Sequence, residues 1–234
     1  MDILGQLREE LSNNIEEKTK NSAQNFFKEK VEVYGVKTSI VTKISRNFFQ
    51  EISNISKKQV FQLCEELLKP GFLEESFVAC NWSYYLRDNY KPDDFYIFEK
   101  WLGNYVNNWA TCDILCNHTI GTFIETFPGF LSNLKEWTGS KNRWVKRGAA
   151  VTLIIPARKG KFLQEILTIS DSLLEDTDDL VQKGYGWLLK VASQSQQTQV
   201  FNYVMENKKQ MPRTALRYAI EKMPAELKER AMKK

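Results

Sequence analysis

The feature that most restricts this chain is the spacing of its apolar residues, which recur at i, i+3 and i+4 in almost every segment. Phe72, Leu73, Phe77, Cys80 and Tyr84 form one such run; Phe95, Phe98, Trp101, Leu102 and Tyr105 form another. That period gathers apolar side chains on one face of an α-helix, whereas a half-buried strand needs strict alternation. Short breakers punctuate the pattern at Tyr34-Gly35, Lys69-Pro70-Gly71, Lys91-Pro92, Phe127-Pro128-Gly129, Thr138-Gly139-Ser140, Lys159-Gly160 and Met211-Pro212. There is no convincing alternating strand, no Asn-Gly or Asp-Gly hairpin and no low-complexity linker. The expectation is an all-α protein of about a dozen helices, each of roughly 10–18 residues, joined by short turns.

At 234 residues the chain is long enough for one large domain or a continuous solenoid with a sizeable core. Apolar residues at 42% and charged residues at 26% are those of a folded chain, so disorder is expected only at the termini. No stretch reaches the roughly 18 apolar residues of a membrane helix, so no membrane partner is expected. The first residues, MDILGQLREELSNNIEEK, are charged and amphipathic and lack the order of a secretory signal, which makes the cytoplasm the expected compartment. Cys64, Cys80, Cys112 and Cys116 sit inside apolar helical patterns without a CxxC pair, and read as buried thiols. With His118 the only histidine, no metal site and no Ser/His/Asp set is expected.

Internal repetition sharpens the fold. Val145-Lys146-Arg147-Gly148-Ala149-Ala150-Val151 aligns with Val181-Gln182-Lys183-Gly184-Tyr185-Gly186-Trp187 and with Met211-Pro212-Arg213-Thr214-Ala215-Leu216-Arg217. Each segment has an apolar residue, a basic residue two positions later, then small residues. Stepping back from Arg147 by a similar interval reaches Trp109-Ala110-Thr111-Cys112-Asp113. Such a period suggests helix pairs stacked as a HEAT- or armadillo-like, right-handed superhelical solenoid, one domain over residues 1–234, with small residues where neighbouring helices approach.

Residues 141–234 carry 18 Lys/Arg and 10 Asp/Glu, a net of +8, while the remainder is −4. An anionic partner met mainly by the second half is the reading. If one helix of each pair lines the inner curve, Arg147, Lys183 and Arg213 form a cationic ladder on a concave groove, suited to a rod of phosphates. Lys146 and Arg217 lie beside the same positions. Trp109 and Asp113 are one helical turn apart and share a face, as do Lys183 with Trp187 and Arg213 with Arg217. Aromatic faces beside a carboxylate in a cationic groove have few structural reasons to coincide.

Three of these stretches, Trp109-Ala-Thr-Cys-Asp113, Trp144-Val-Lys-Arg147 and Gln182-Lys-Gly-Tyr-Gly-Trp187, resemble signature segments of the AlkD-type DNA alkylation-repair glycosylases, a HEAT-like-repeat family. Phe26-Phe27-Lys28 through Tyr34-Gly35-Val36-Lys37-Thr38 and Arg213-Thr-Ala-Leu-Arg217 are similar to the family pattern as well. The resemblance implies release of positively charged N3- and N7-alkylated purines from double-stranded DNA without flipping the base into a pocket. It implies Asp113 as the catalytic carboxylate and Trp109 and Trp187 against the lesion deoxyribose. Arg147 would meet backbone phosphates, with Lys146, Lys183, Arg213, Arg217 and Phe26 along the DNA-binding surface. Phe26 stands where the family usually has a hydroxylated aromatic, and Ser39 where it usually has proline. No cofactor is implied, and a monomer, nucleoid-associated when bound to DNA, suffices. The alternatives are a non-catalytic HEAT-like protein that binds distorted or branched DNA, and a protein–protein scaffold, which would favour an apolar or acidic groove.

Overall fold

A computed structural model of the chain describes residues 2–233. By its internal packing the chain divides into two compact units, Met1–Leu115 and Cys116–Lys234. Among the described residues all regular structure is helical, apart from an isolated bridge between Glu32 and Phe72. None of the helices is long and apolar enough to cross a membrane.

The first unit holds α1 (Ile3–Asn13), α2 (Glu17–Phe26), α3 (Thr38–Glu51), α4 (Lys57–Leu68), α5 (Leu73–Tyr85), α6 (Asp94–Asn104) and α7 (Trp109–Ile114). Helix α5 is its hub and packs on α3, α4 and α7. Its side chains are buried almost all round, including Val78, Ala79, Cys80 and Trp82. Trp82 is sealed from solvent and donates its indole N–H to the Ser45 carbonyl at 2.8 Å, which removes the cost of burying that donor. Phe61 meets Phe98 and Trp101 edge to face, and Phe98 and Trp101 tilt against each other, with ring centroids 5.5–5.7 Å apart. Helix α4 is started by a capping box: the Ser56 hydroxyl accepts from the Gln59 N–H while the Gln59 side chain accepts from the Ser56 N–H.

The second unit holds α8 (Gly121–Thr126), α9 (Leu131–Trp137), α10 (Arg143–Val151), α11 (Ile154–Arg158), α12 (Leu163–Ser172), α13 (Asp179–Ser195), α14 (Gln197–Asn207), α15 (Arg213–Ile220) and α16 (Ala225–Met232). The three segments that align in sequence lie in α10, α13 and α15, and these helices pack side by side, α10 on α13 and α13 on α15. Helices α9 and α12 contact each other and back onto α10 and α13. The small residues of the repeat are where the helices close on one another. A Cβ added at Gly186 would lie 2.7 Å from the Tyr218 Cβ and 2.9 Å from the Ala215 carbonyl oxygen. Gly186→Ala is therefore expected to force α13 and α15 apart and to cost ~1–3 kcal/mol of stability. Urea unfolding reads it, and a variant as stable as the parent would contradict this packing.

Several helices are shorter than the apolar period suggests. The stretch from Arg143 to Arg158 breaks into α10 and α11 at Thr152-Leu153. Pro156 has no N–H to give the Thr152 carbonyl, and its ring excludes that carbonyl from the helix. The freed carbonyl turns to α8, so close that a Cβ at Gly121 would lie 2.8 Å from it. The run beginning at Trp109 is likewise interrupted, by a π-helical stretch over Leu115–Ile120. All four cysteines are buried, and His118 is exposed.

Candidate nucleic-acid interface

In the first unit, α7 begins at Trp109 because Asn108 caps it. The Asn108 side-chain oxygen accepts from the Thr111 N–H at 2.9 Å, and its amide donates to the Thr111 hydroxyl at 3.1 Å. Asn108 is buried, so these bonds hold the start of α7 with little play. Trp109 and Asp113 then fall one turn apart on one face, both half-buried. The Asn-x-x-Thr spacing ahead of Trp109 is a capping signal that could have marked Asn108 from the sequence alone.

The Trp109 indole joins an aromatic cluster at the end of α2. Its ring centroid lies 5.5 Å from that of Phe26 and 5.4 Å from that of Phe27. Phe26 is two-thirds exposed, an unusual position for a phenyl ring. The cluster forms one wall of an open cleft of about 540 Å³, whose other walls include Lys18, Thr19, Lys37 and Thr38. Lys37 also pairs with Glu16 at 2.7 Å, an ion pair that holds the Glu16 carboxyl below its usual range.

A buried carboxylate positions the far lip of this cleft. Glu74, in the first turn of α5, accepts the backbone N–H groups of Tyr34, Gly35 and Val36 at 3.0, 2.8 and 3.0 Å. Its neighbour Glu75 takes Arg8 on both oxygens and the Tyr34 hydroxyl at 2.7 Å. Being buried and bonded to Glu75 raises the Tyr34 phenol far above its ordinary value. The turn so held needs a left-handed residue: Gly35 has φ +98°, and a Cβ there would meet Lys20 of α2 at 2.6 Å. Neither glutamate stands out in the sequence, because acids in a first turn normally serve the helix dipole at the surface.

In the second unit the predicted cations share a row of helices but not an environment. Arg147 is buried, stacks on Gly184 and donates from Nη1 to the Leu180 carbonyl at 2.5 Å. Lys146 pairs with Asp176, and Lys183 with Asp179 at 2.9 Å. Trp187 is half-buried on α13, one turn after Lys183. Arg213 and Arg217 are exposed on α15 and form no ion pair among the described residues. Arg147 and Lys183 are each the fifth residue of their helix, whereas Arg213 is the first of α15.

A half-exposed indole with a carboxylate one turn along is suited to a flat, cation-forming ligand, through π attraction and charge. The unpaired guanidinium groups of α15 suit an anion. The model of the DNA alkylation repair enzyme family matches residues 7–223. The chain belongs to that family. Among solved structures, a predicted DNA alkylation repair enzyme from Enterococcus faecalis superposes with a TM-score of 0.81 at 15% identity. The match covers 91% of this chain and 98% of that one, so the family's fold is reproduced at nearly full length. No curated protein matches the sequence. The family match includes α2 with Phe26, α7 with Trp109 and Asp113, α13 with Trp187 and α15 with its free arginines.

Proposed function

We propose that this family member is a DNA glycosylase of base-excision repair that hydrolyses the N-glycosidic bond of positively charged N3- and N7-alkylated purines in duplex DNA. The observation that carries the reading is the pairing on α7: a half-exposed Trp109 at an open aromatic cleft, with the Asp113 carboxylate one turn along the same face. Alkylation gives the purine a positive charge and makes it a good leaving group. As the C1′–N bond breaks, its electron pair neutralises the purine and the sugar takes on oxocarbenium character. Asp113 stabilises that cation and orients the water that attacks C1′, and the water's proton leaves to solvent. Trp109 presses on the deoxyribose, adding ~1–2 kcal/mol of cation–π attraction where water is excluded. No metal or cofactor takes part, because the substrate supplies its own leaving group.

DNA is held, in this reading, along α10, α13 and α15: by the exposed Arg213 and Arg217, and by Lys146 and Lys183 where phosphates displace their carboxylate partners. The pairing of α9 with α10, α12 with α13 and α14 with α15 supports HEAT-like repeats of a right-handed solenoid with those three helices on its basic inner wall. The family match across both units supports one working domain. The protein would act as a monomer on alkylated double-stranded DNA in the cytoplasm, at the nucleoid. Phe26, exposed beside Trp109, would lean on the duplex without the hydrogen bond of a hydroxylated ring.

Incubation with methylated genomic DNA is expected to release 7-methylguanine and 3-methyladenine, separated by chromatography. DNA binding without any released base would instead favour a non-catalytic HEAT-like protein that recognises distorted or branched DNA.

A further inference from the structure

The surplus positive charge of the second half is not spread evenly. Most cations around α10 to α13 are spent on carboxylates: Arg143 on Asp178, Lys146 on Asp176, Lys159 and Lys161 on Glu125, Lys183 on Asp179, Lys190 on Glu221. The unspent charge collects where α14, α15 and α16 meet. There a pocket of about 260 Å³ is lined by Lys208, Lys209, Arg213 and Lys233 over a floor that includes Leu216 and Met232, and among the described residues no carboxylate lines it. Lys209 and Arg213 are exposed and form no ion pair among the described residues. Among the described residues Lys233 pairs with the solvent-facing Glu229, one turn back along α16.

Lys208 is fixed in place. Its ammonium donates to the carbonyls of Arg230 and Lys233, at 3.2 and 2.7 Å, at the C-terminal end of α16. Two of its three N–H bonds are used, and the third remains for a ligand. Helix α15 opens at Arg213 behind Pro212 with no side-chain cap, so its first N–H groups add partial positive charge at the same place. The pocket is too small for a whole nucleotide and has no aromatic ring on which a base could stack. It fits one phosphate with the edge of a sugar on its apolar floor.

We propose that this pocket is a phosphate seat that grips the backbone of duplex DNA away from Trp187. Helix α15 stands between the two: it meets α13 through Ala215 and Tyr218 and the pocket through Arg213 and Leu216. The inference rests on the DNA-binding part of the function proposed above and not on base excision. Such a seat adds affinity that is blind to sequence and steep in salt.

The test measures binding of an undamaged duplex by fluorescence anisotropy across a salt series, for wild type, Lys209→Gln, Arg213→Gln and the double variant. Each single variant is expected to flatten the log–log salt slope by ~0.9, and the double variant by about twice that. Between about 50 and about 200 mM salt each lost contact makes the fall in affinity about threefold smaller. Lys222→Gln, outside the pocket, keeps the wild-type slope. Both substituted side chains are exposed, and unchanged circular dichroism verifies folding. Wild-type slopes in Lys209→Gln and Arg213→Gln, with duplex binding intact, overturn the seat and leave the excision reading standing. Equal flattening by Lys222→Gln reduces the effect to diffuse surface charge and overturns it too. Backbone amide shifts of Lys209, Gln210, Met211, Arg213 and Thr214 under inorganic phosphate test the other source of the same chemistry. Saturation by phosphate with no change in DNA slope assigns the pocket to a free anion and overturns the proposal. Absence of any duplex binding by the wild type overturns both readings together.

Discussion

Asp113→Asn is expected to reduce release of 7-methylguanine under single-turnover conditions by about 100- to 1,000-fold, equivalent to ~3–4 kcal/mol of transition-state stabilisation. The amide keeps the size and half-buried position of the carboxylate on α7, removes its charge and replaces one acceptor oxygen by a donor. A unit charge about 4 Å from a developing sugar cation is worth about 4 kcal/mol at an effective dielectric near 20, so the two estimates agree. Affinity for DNA should be unchanged or higher, since a negative charge leaves the neighbourhood of the phosphates. Quench-flow or manual sampling of released base with enzyme in excess separates the two quantities. A variant that excises at the parental rate would remove the proposed mechanism, while leaving DNA binding and the fold untouched.

Glu74→Ala is expected to be the most damaging single change to stability, at ~3–5 kcal/mol in urea unfolding. Three backbone N–H groups at Tyr34, Gly35 and Val36 lose one charged acceptor, and the site is closed to compensating water because Glu74 is 4% exposed. The consequence reaches the cleft. Lys37 and Thr38 follow directly in the chain, and Gly35 is in close contact with α2, which carries Phe26. A folded but loosened Glu74→Gln variant should therefore show a broader, less protected Trp109 environment by fluorescence quenching. A loss below about 1 kcal/mol in Glu74→Ala would show that the loop finds other partners for those donors.

Much of this was legible from residue spacing. The helical period, the breakers and the repeat across Arg147, Lys183 and Arg213 were enough to expect an all-helical chain, and α10, α13 and α15 do lie side by side. The reason is local: apolar spacing and glycine at close approaches act within a few residues, so they can be read in order along the chain. The Trp109/Asp113 pairing is of this kind, since one turn of helix is all it needs. Pro156 is equally visible in the sequence, and it divides the stretch from Arg143 to Arg158 into α10 and α11.

The fate of each charge belongs to the tertiary structure. Sequence counts a lysine as positive wherever it stands, yet Lys146 and Lys183 are neutralised by Asp176 and Asp179, Arg147 is turned inward to the Leu180 carbonyl, and Lys209 and Arg213 are left open. Glu74 and Glu75 went the other way, from ordinary first-turn acids to buried acceptors that shape the cleft wall. An ion pair needs two groups within a few ångströms, and residues dozens of positions apart meet only after the helices have packed. The amino-acid order therefore determined the helices and which faces they bury, and the folded chain alone decided which cations remain free for an anion.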